Sequence, residues 1–292
     1  MKFGRSITTA CNWRLAHTVF LALCVSCDAL LFIFDRKSAY ISLSAFAYGL
    51  ILWLITRSFI RPDAESEETA LRTVATSWRL ALRVVVVAGT FLFLVVARHW
   101  FWNSTINVAI QHLSATIGMG YGDTAVPNVI FYVLVPGALL FLLGASRAEL
   151  GLTGWRKGSA YALLGALVLP LVFAVLWFSK GRGTAGLLLL LLLRNFLSNG
   201  FSEEFLMRSM MLSHLRAFVS KDWAVVGQAI LFGLFHLDLF TKVDSWALEI
   251  ARVIAMNAPM GFFLALIALR ARSVVLPGLI HTTLDTMISM IG

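Results

Sequence analysis

Residues 187–208 read LLLLLLLRNFLSNGFSEEFLMR. An almost wholly apolar run, Leu187–Phe196, leads into two adjacent carboxylates, Glu203 and Glu204, and an arginine, Arg208. The segment from Leu187 to His214 has the length and apolarity of a membrane span. Ionisable groups at membrane depth are costly and are kept for work. Glu204 and Arg208 are four apart, so on a helix they share a face and can neutralise each other. Glu203 points about 100° away from Glu204 and is left as the carboxylate that can face a cavity. Taken alone, Ser202–Arg208 also fits a loop at the membrane surface holding a solvated ion pair.

Working outward, the composition fixes the class. Of 292 residues, 59% are hydrophobic and 13% charged. Soluble domains carry about 25% charge. Apolar segments near 15–34, 40–59, 80–97, 129–145, 159–178, 187–214, 223–239, 250–269 and 274–291 are candidate spans. The expectation is an all-α, polytopic transmembrane helical bundle of about eight to nine spans. Residues 1–147 read as an N-terminal transmembrane region of about four spans. Residues 148–292 read as the functional core. The polar stretch 61–76 is expected to be an exposed loop, and no internal repeat is visible.

The net charge of +9 needs no nucleic acid, because Lys and Arg in cytoplasmic loops and at anionic membrane surfaces account for it. Most of the 24 Lys and Arg fall on one side of the membrane if the N-terminus is cytoplasmic. Cys11, Cys24 and Cys27 form no disulfide framework and no metal pattern. Residues 15–34 are read as an uncleaved first span.

Two further pieces join Glu203, Glu204 and Arg208. One is Phe232-Gly-Leu-Phe-His236. The other is His281-Thr-Thr-Leu-Asp285, whose ends share a helix face. At 1.5 Å per residue, Glu203, His236 and His281 fall about 16, 20 and 10 Å from cytoplasmic helix ends, so they can meet at similar depth. The order Glu-Glu-xxx-Arg, Phe-xxx-His, His-xxx-Asp resembles the CPBP intramembrane proteases, which include the CAAX prenyl endopeptidases and Abi-type proteins. The resemblance covers roughly residues 186–292.

That resemblance implies a conical intramembrane active-site cavity and an endopeptidase acting on a membrane-associated or C-terminally signalled peptide or protein. Glu203 and His236 then hold the attacking water. His281 and the last residue of its motif stabilise the tetrahedral intermediate, while Glu204 and Arg208 form a structural ion pair. This chain carries Asp285 where the family motif has Asn. An ionised Asp285 would repel an oxyanion, so Asp285 is either protonated or orients His281 as an imidazolium donor; the neutral donor is the expectation, because the family's Asn implies that no charge is required there. No cofactor is favoured. Zinc is the alternative, with Glu203, His236 and His281 as ligands, joined by Asp285; the His-Glu-x-x-His helix of the usual zinc proteases is missing. The partners expected are the lipid bilayer and the substrate, with no nucleic acid. The location expected is the bacterial inner membrane. A non-enzymatic scaffold or immunity protein of the same fold is the competing class.

Three other stretches carry weaker signals. Glu149-Leu-Gly-Leu-Thr-Gly154 reads as an interfacial turn. Pro259 and Gly261 should kink or open their helix, with simple kinking preferred to a ligand role for Asn257. Gly118-Met-Gly-Tyr-Gly-Asp123 looks like a potassium filter, but Gly118 and Met119 stand where filters carry Thr and Val.

Overall fold

The computed structural model describes residues 4–61, 78–97, 101, 104–116, 123–153, 156–239 and 243–291, with side chains from residue 15 onward except at 97 and 291. The polar stretch 62–76 and the Gly-rich run 118–122 lie outside the described residues. Among the described residues all regular structure is helical. Seven helices are long and apolar enough to cross a membrane, and the chain is an integral membrane protein.

The chain forms two compact units. One comprises Met1–Trp53 and His214–Leu266, the other Leu54–Ser213 and Ile267–Gly292. Neither is one continuous stretch.

The first unit holds α1 (Gly4–Phe34), most of α2 (Arg36–Phe59), α8 (Lys221–Phe235) and most of α9 (Trp246–Ala271). Phe20 stacks on Phe262 at 4.6 Å between centroids, and Phe46 meets Phe263 edge-on at 5.4 Å. Pro259 lies inside the unbroken α9. It cannot donate to the carbonyl four residues back, which belongs to Ala255. Ser42 Oγ donates to that oxygen instead, at 2.7 Å, so the lost helical bond is replaced from α2. Asn257 gives its amide to Val253 O of its own helix at 3.1 Å.

The second unit holds α3 (Trp78–Leu92), α4 (Thr105–Thr116), α5 (Ala125–Leu142), α6 (Ser159–Ser179), α7 (Ala185–Leu215) and α10 (Val275–Ile291). Trp177 on α6 packs with Ala174 and Met290, and Phe173, Leu188, Leu191 and Met287 close around them. Helix α7 starts at the Thr184 N-cap, whose side chain accepts from Leu187 N at 3.2 Å.

Two expected spans come out short. The helix for residues 223–239 is α8, 15 residues long and ended at Phe235. Helix α10 has 17 residues. At 1.5 Å per residue they reach about 23 and 26 Å, against about 30 Å of hydrocarbon.

Candidate active site

The site in the second unit begins with an irregularity in α7. Residues Phe196–Gly200 and Phe205–Leu212 are π-helical, and they bracket a single α-turn, Phe201–Glu204. Such wider turns leave carbonyls displaced from the ordinary i→i−4 ladder and often mark functional sites. Side chains take up two of these carbonyls. Ser202 Oγ donates to Leu197 O at 2.5 Å, and Asn128 Nδ2 from α5 donates to Ser198 O at 2.6 Å.

Helix α10 crosses α7 where both lack side chains. A Cβ on Gly200 would run into Thr282 Oγ1 and lie 2.7 Å from Gly278 O, and one on Gly278 would lie 3.4 Å from Gly200 O. Small residues permit this approach of two membrane helices. Three residues past Gly278 comes His281, and four past Gly200 comes Glu204.

Those two meet. His281 Nδ1 is 3.1 Å from Glu204 Oε1, while Glu204 Oε2 is 2.9 Å from Arg208 Nε. The Glu204 and Arg208 side chains are 0% and 1% exposed, so the surface-loop reading of this stretch does not hold. A carboxylate paired with arginine can only accept, so Nδ1 carries the proton it donates. On its other side, His281 Nε2 is 3.7 Å from Asp285 Oδ1. Asp285 Oδ2 accepts from Asn199 Nδ2 at 2.9 Å. Glu203 is buried as well and interacts electrostatically with Arg208 and His281.

The shared face of His281 and Asp285 and the Glu204–Arg208 pair are thus both present. Glu204 is more than a structural partner of Arg208, since it also holds the His281 ring. Asn199, Gly200 and Gly278 were not singled out in the sequence. The small residues at 200 and 278, each near a motif residue, were the available signal.

His236 belongs to the first unit, where it caps the C-terminal end of α8. Its Nδ1 lies 2.8 Å from Phe232 O. A carbonyl only accepts, so Nδ1 carries the proton and Nε2 holds the basic lone pair. The side chain is exposed. The expected span across this residue is therefore a helix end, closed by the imidazole itself.

The turn after α5 ties the site helices together. Leu150 O accepts from Ser209 Oγ at 2.6 Å, beside Arg208, and Gly151 O accepts from Val274 N at 2.9 Å, at the start of α10. Glu149 accepts from Ser146 N at 2.6 Å and pairs with Arg83 at 3.3 Å. Burial raises its carboxyl pKa, but the bonds from Ser146 and Arg83 outweigh that and hold it below the usual value. The stretch expected as a plain interfacial turn is a staple between α7 and α10. Asp123, at the end of the filter-like run, is buried, accepts from Ala125 N at 2.7 Å at the start of α5 and pairs with Arg194.

Among the described residues, no three His, Cys, Asp or Glu side chains are grouped to hold a metal ion.

Residues 184–287 match the family model of the type II CAAX prenyl endopeptidases, Rce1-like. This stretch of the chain is similar to that family of membrane endopeptidases. The match contains Glu203, Glu204, Arg208, His236, His281 and Asp285. The similarity supports an endopeptidase that works in the membrane. Comparison with curated proteins and with solved structures gave no match.

Proposed function

We propose that this chain is an intramembrane endopeptidase that hydrolyses a peptide bond near the end of a membrane-associated substrate, using a water activated by side chains. The observation that carries this reading is the buried Arg208–Glu204–His281 chain inside the family-matched region. A buried chain of ionisable side chains in an apolar bundle is costly to keep for packing alone.

Peptide hydrolysis needs a base for water and a donor for the oxyanion. Glu203 is proposed as the base. His236 joins it on the strength of the motif order and of its basic Nε2. His281 is proposed as the oxyanion donor. Its Nδ1–H is already given to Glu204, so the hydrogen it can offer is on Nε2. That requires an imidazolium, which Glu204 and an ionised Asp285 on either side would stabilise. Asp285 is taken here as the group that orients His281 from the Nε2 side, with the neutral donor to the oxyanion as the alternative role. The catalytic set is Glu203, His236, His281 and Asp285. The location proposed is a bacterial inner membrane with the N-terminus in the cytoplasm.

The test is a comparison of cellular peptides and protein C-termini between wild type and Glu203→Ala. Precursors that accumulate only in the variant support the reading. Identical sets, with both proteins present in the membrane at equal levels, overturn it.

A further inference from the structure

The two carboxylates beside His281 are held in the same way. Glu204 turns one oxygen to Nδ1 and the other to Arg208. Asp285 turns one oxygen toward Nε2 and the other to Asn199. Both outer donors, Arg208 and Asn199, stand on α7, and the ring comes from α10. The donors differ in charge. Arg208 neutralises Glu204, whereas the Asn199 amide fixes Asp285 without cancelling its charge. A carboxylate held at one oxygen only can swing about its Cβ–Cγ bond, whose torsion has broad wells. A donor on Oδ2 fixes the plane and so fixes where Oδ1 points.

The backbone makes this contact firm. Asn199 immediately precedes Gly200, where the two helices come closest. One turn earlier Asn195 gives its amide to Thr286 Oγ1 at 3.1 Å and to Ser289 Oγ at 3.4 Å. Asn195 thus serves the packing of the same two helices without touching Asp285.

We propose that Asn199 is a positioning residue: it orients Asp285, and through Asp285 it sets the environment of His281 Nε2. The contact stands on the geometry; its use in catalysis rests on the protease reading above.

The experiment uses the full chain in detergent with ¹⁵N-histidine labelling, the His281 ring signals being assigned by their loss in His281→Gln. Hydrolysis of a fluorogenic peptide ending in a prenylated cysteine motif is followed in parallel. Asn199→Ala is expected to move the Nε2 signal while the Nδ1 signal, fixed by Glu204, stays near its wild-type position. Its kcat should fall about tenfold or more, the usual effect of losing a hydrogen bond to a charged group, with KM little changed. Asn195→Ala should leave Nε2 in place. The exchanged pair, Asn199→Asp with Asp285→Asn, keeps a hydrogen bond between the two positions and so should fold, yet it takes the charge away from Nε2. It should therefore move that signal even if Asn199→Ala does not fold.

An unmoved Nε2 signal in Asn199→Ala or in the exchanged pair overturns the proposal. So does an equal movement in Asn195→Ala, which would mark a general packing effect. A moved Nε2 signal without cleavage by any form, wild type included, would support the contact and remove the protease reading.

Discussion

His281 donates from Nδ1 to Glu204 Oε1 across 3.1 Å. The acid next to the proposed base is therefore the group that orients the proposed oxyanion donor. Of two adjacent glutamates in one α-turn, Glu204 is turned to His281 and to Arg208, and Glu203 lies in the field of the same two groups.

Glu203→Gln keeps shape and volume but cannot accept a proton. Cleavage should fall by roughly 10²–10⁴-fold, the usual worth of a general base, while the melting temperature in detergent stays near wild type. Turnover within a few fold of wild type would move the base elsewhere.

Arg208→Ala should act through stability first. It leaves Glu204 buried at 0% exposure without its arginine, and breaking a buried pair costs about 3–5 kcal/mol. Lower yield and an earlier thermal transition are expected. A normal transition with lost turnover would place Arg208 in the chemistry.

Two glycines offer a paired test of the helix crossing. Gly200→Ala forces a Cβ to within 2.7 Å of a backbone oxygen of α10, and overpacking of this kind costs about 1–3 kcal/mol. Gly89→Ala on α3 meets nothing within 4 Å and should be neutral or stabilise by about 0.5–1 kcal/mol. Thermal unfolding of both variants, side by side, reads the difference; equal transitions would show that α7 and α10 do not need the contact.

Glu149 predicts an acid-limb effect. Its folded pKa is depressed, while the unfolded carboxyl titrates near 4.3. Its contribution is therefore present above that unfolded value and is lost as pH falls through the lower folded one. Melting temperature should drop less steeply below about pH 4–5 in Glu149→Gln than in wild type, from a lower starting point. Parallel curves would mean that the carboxylate is not stabilised by its partners.

If side chains alone activate the water, prolonged chelation should leave turnover unchanged, and elemental analysis should find no stoichiometric metal. Activity lost on chelation and restored by zinc would favour the zinc reading with Glu203, His236 and His281 as ligands.

Much of this was legible in the sequence, and the reason is periodicity. Apolar runs mark spans by length, and the four-residue spacings of Glu204 with Arg208 and of His281 with Asp285 put each pair on one face. What stayed hidden depended on partners far along the chain. The π-helical stretches around Glu203 leave no trace in the sequence, because a slightly wider turn over five to eight residues hardly changes the spacing of apolar and polar positions. The end of α8 at Phe235 depends on a ring nitrogen meeting its own helix's carbonyl. Gly200 and Gly278 acquire meaning only once α7 and α10 are placed together, and Asn199 only once Asp285 is opposite it.

The turn that carries Leu150 and Gly151 holds α7 and α10 through main-chain oxygens. Main-chain atoms are common to all residues, so the constraint falls on spacing and not on identity. Exchange of Leu150 for another residue of similar bulk leaves its carbonyl in place. Gly151, at φ +62° and with Val274 N 3.3 Å from its missing Cβ, is the exception. A one-residue insertion or deletion shifts both oxygens off their donors at once. Within a short loop that resembles a tolerant linker, sequence drift is therefore permitted and length drift is not.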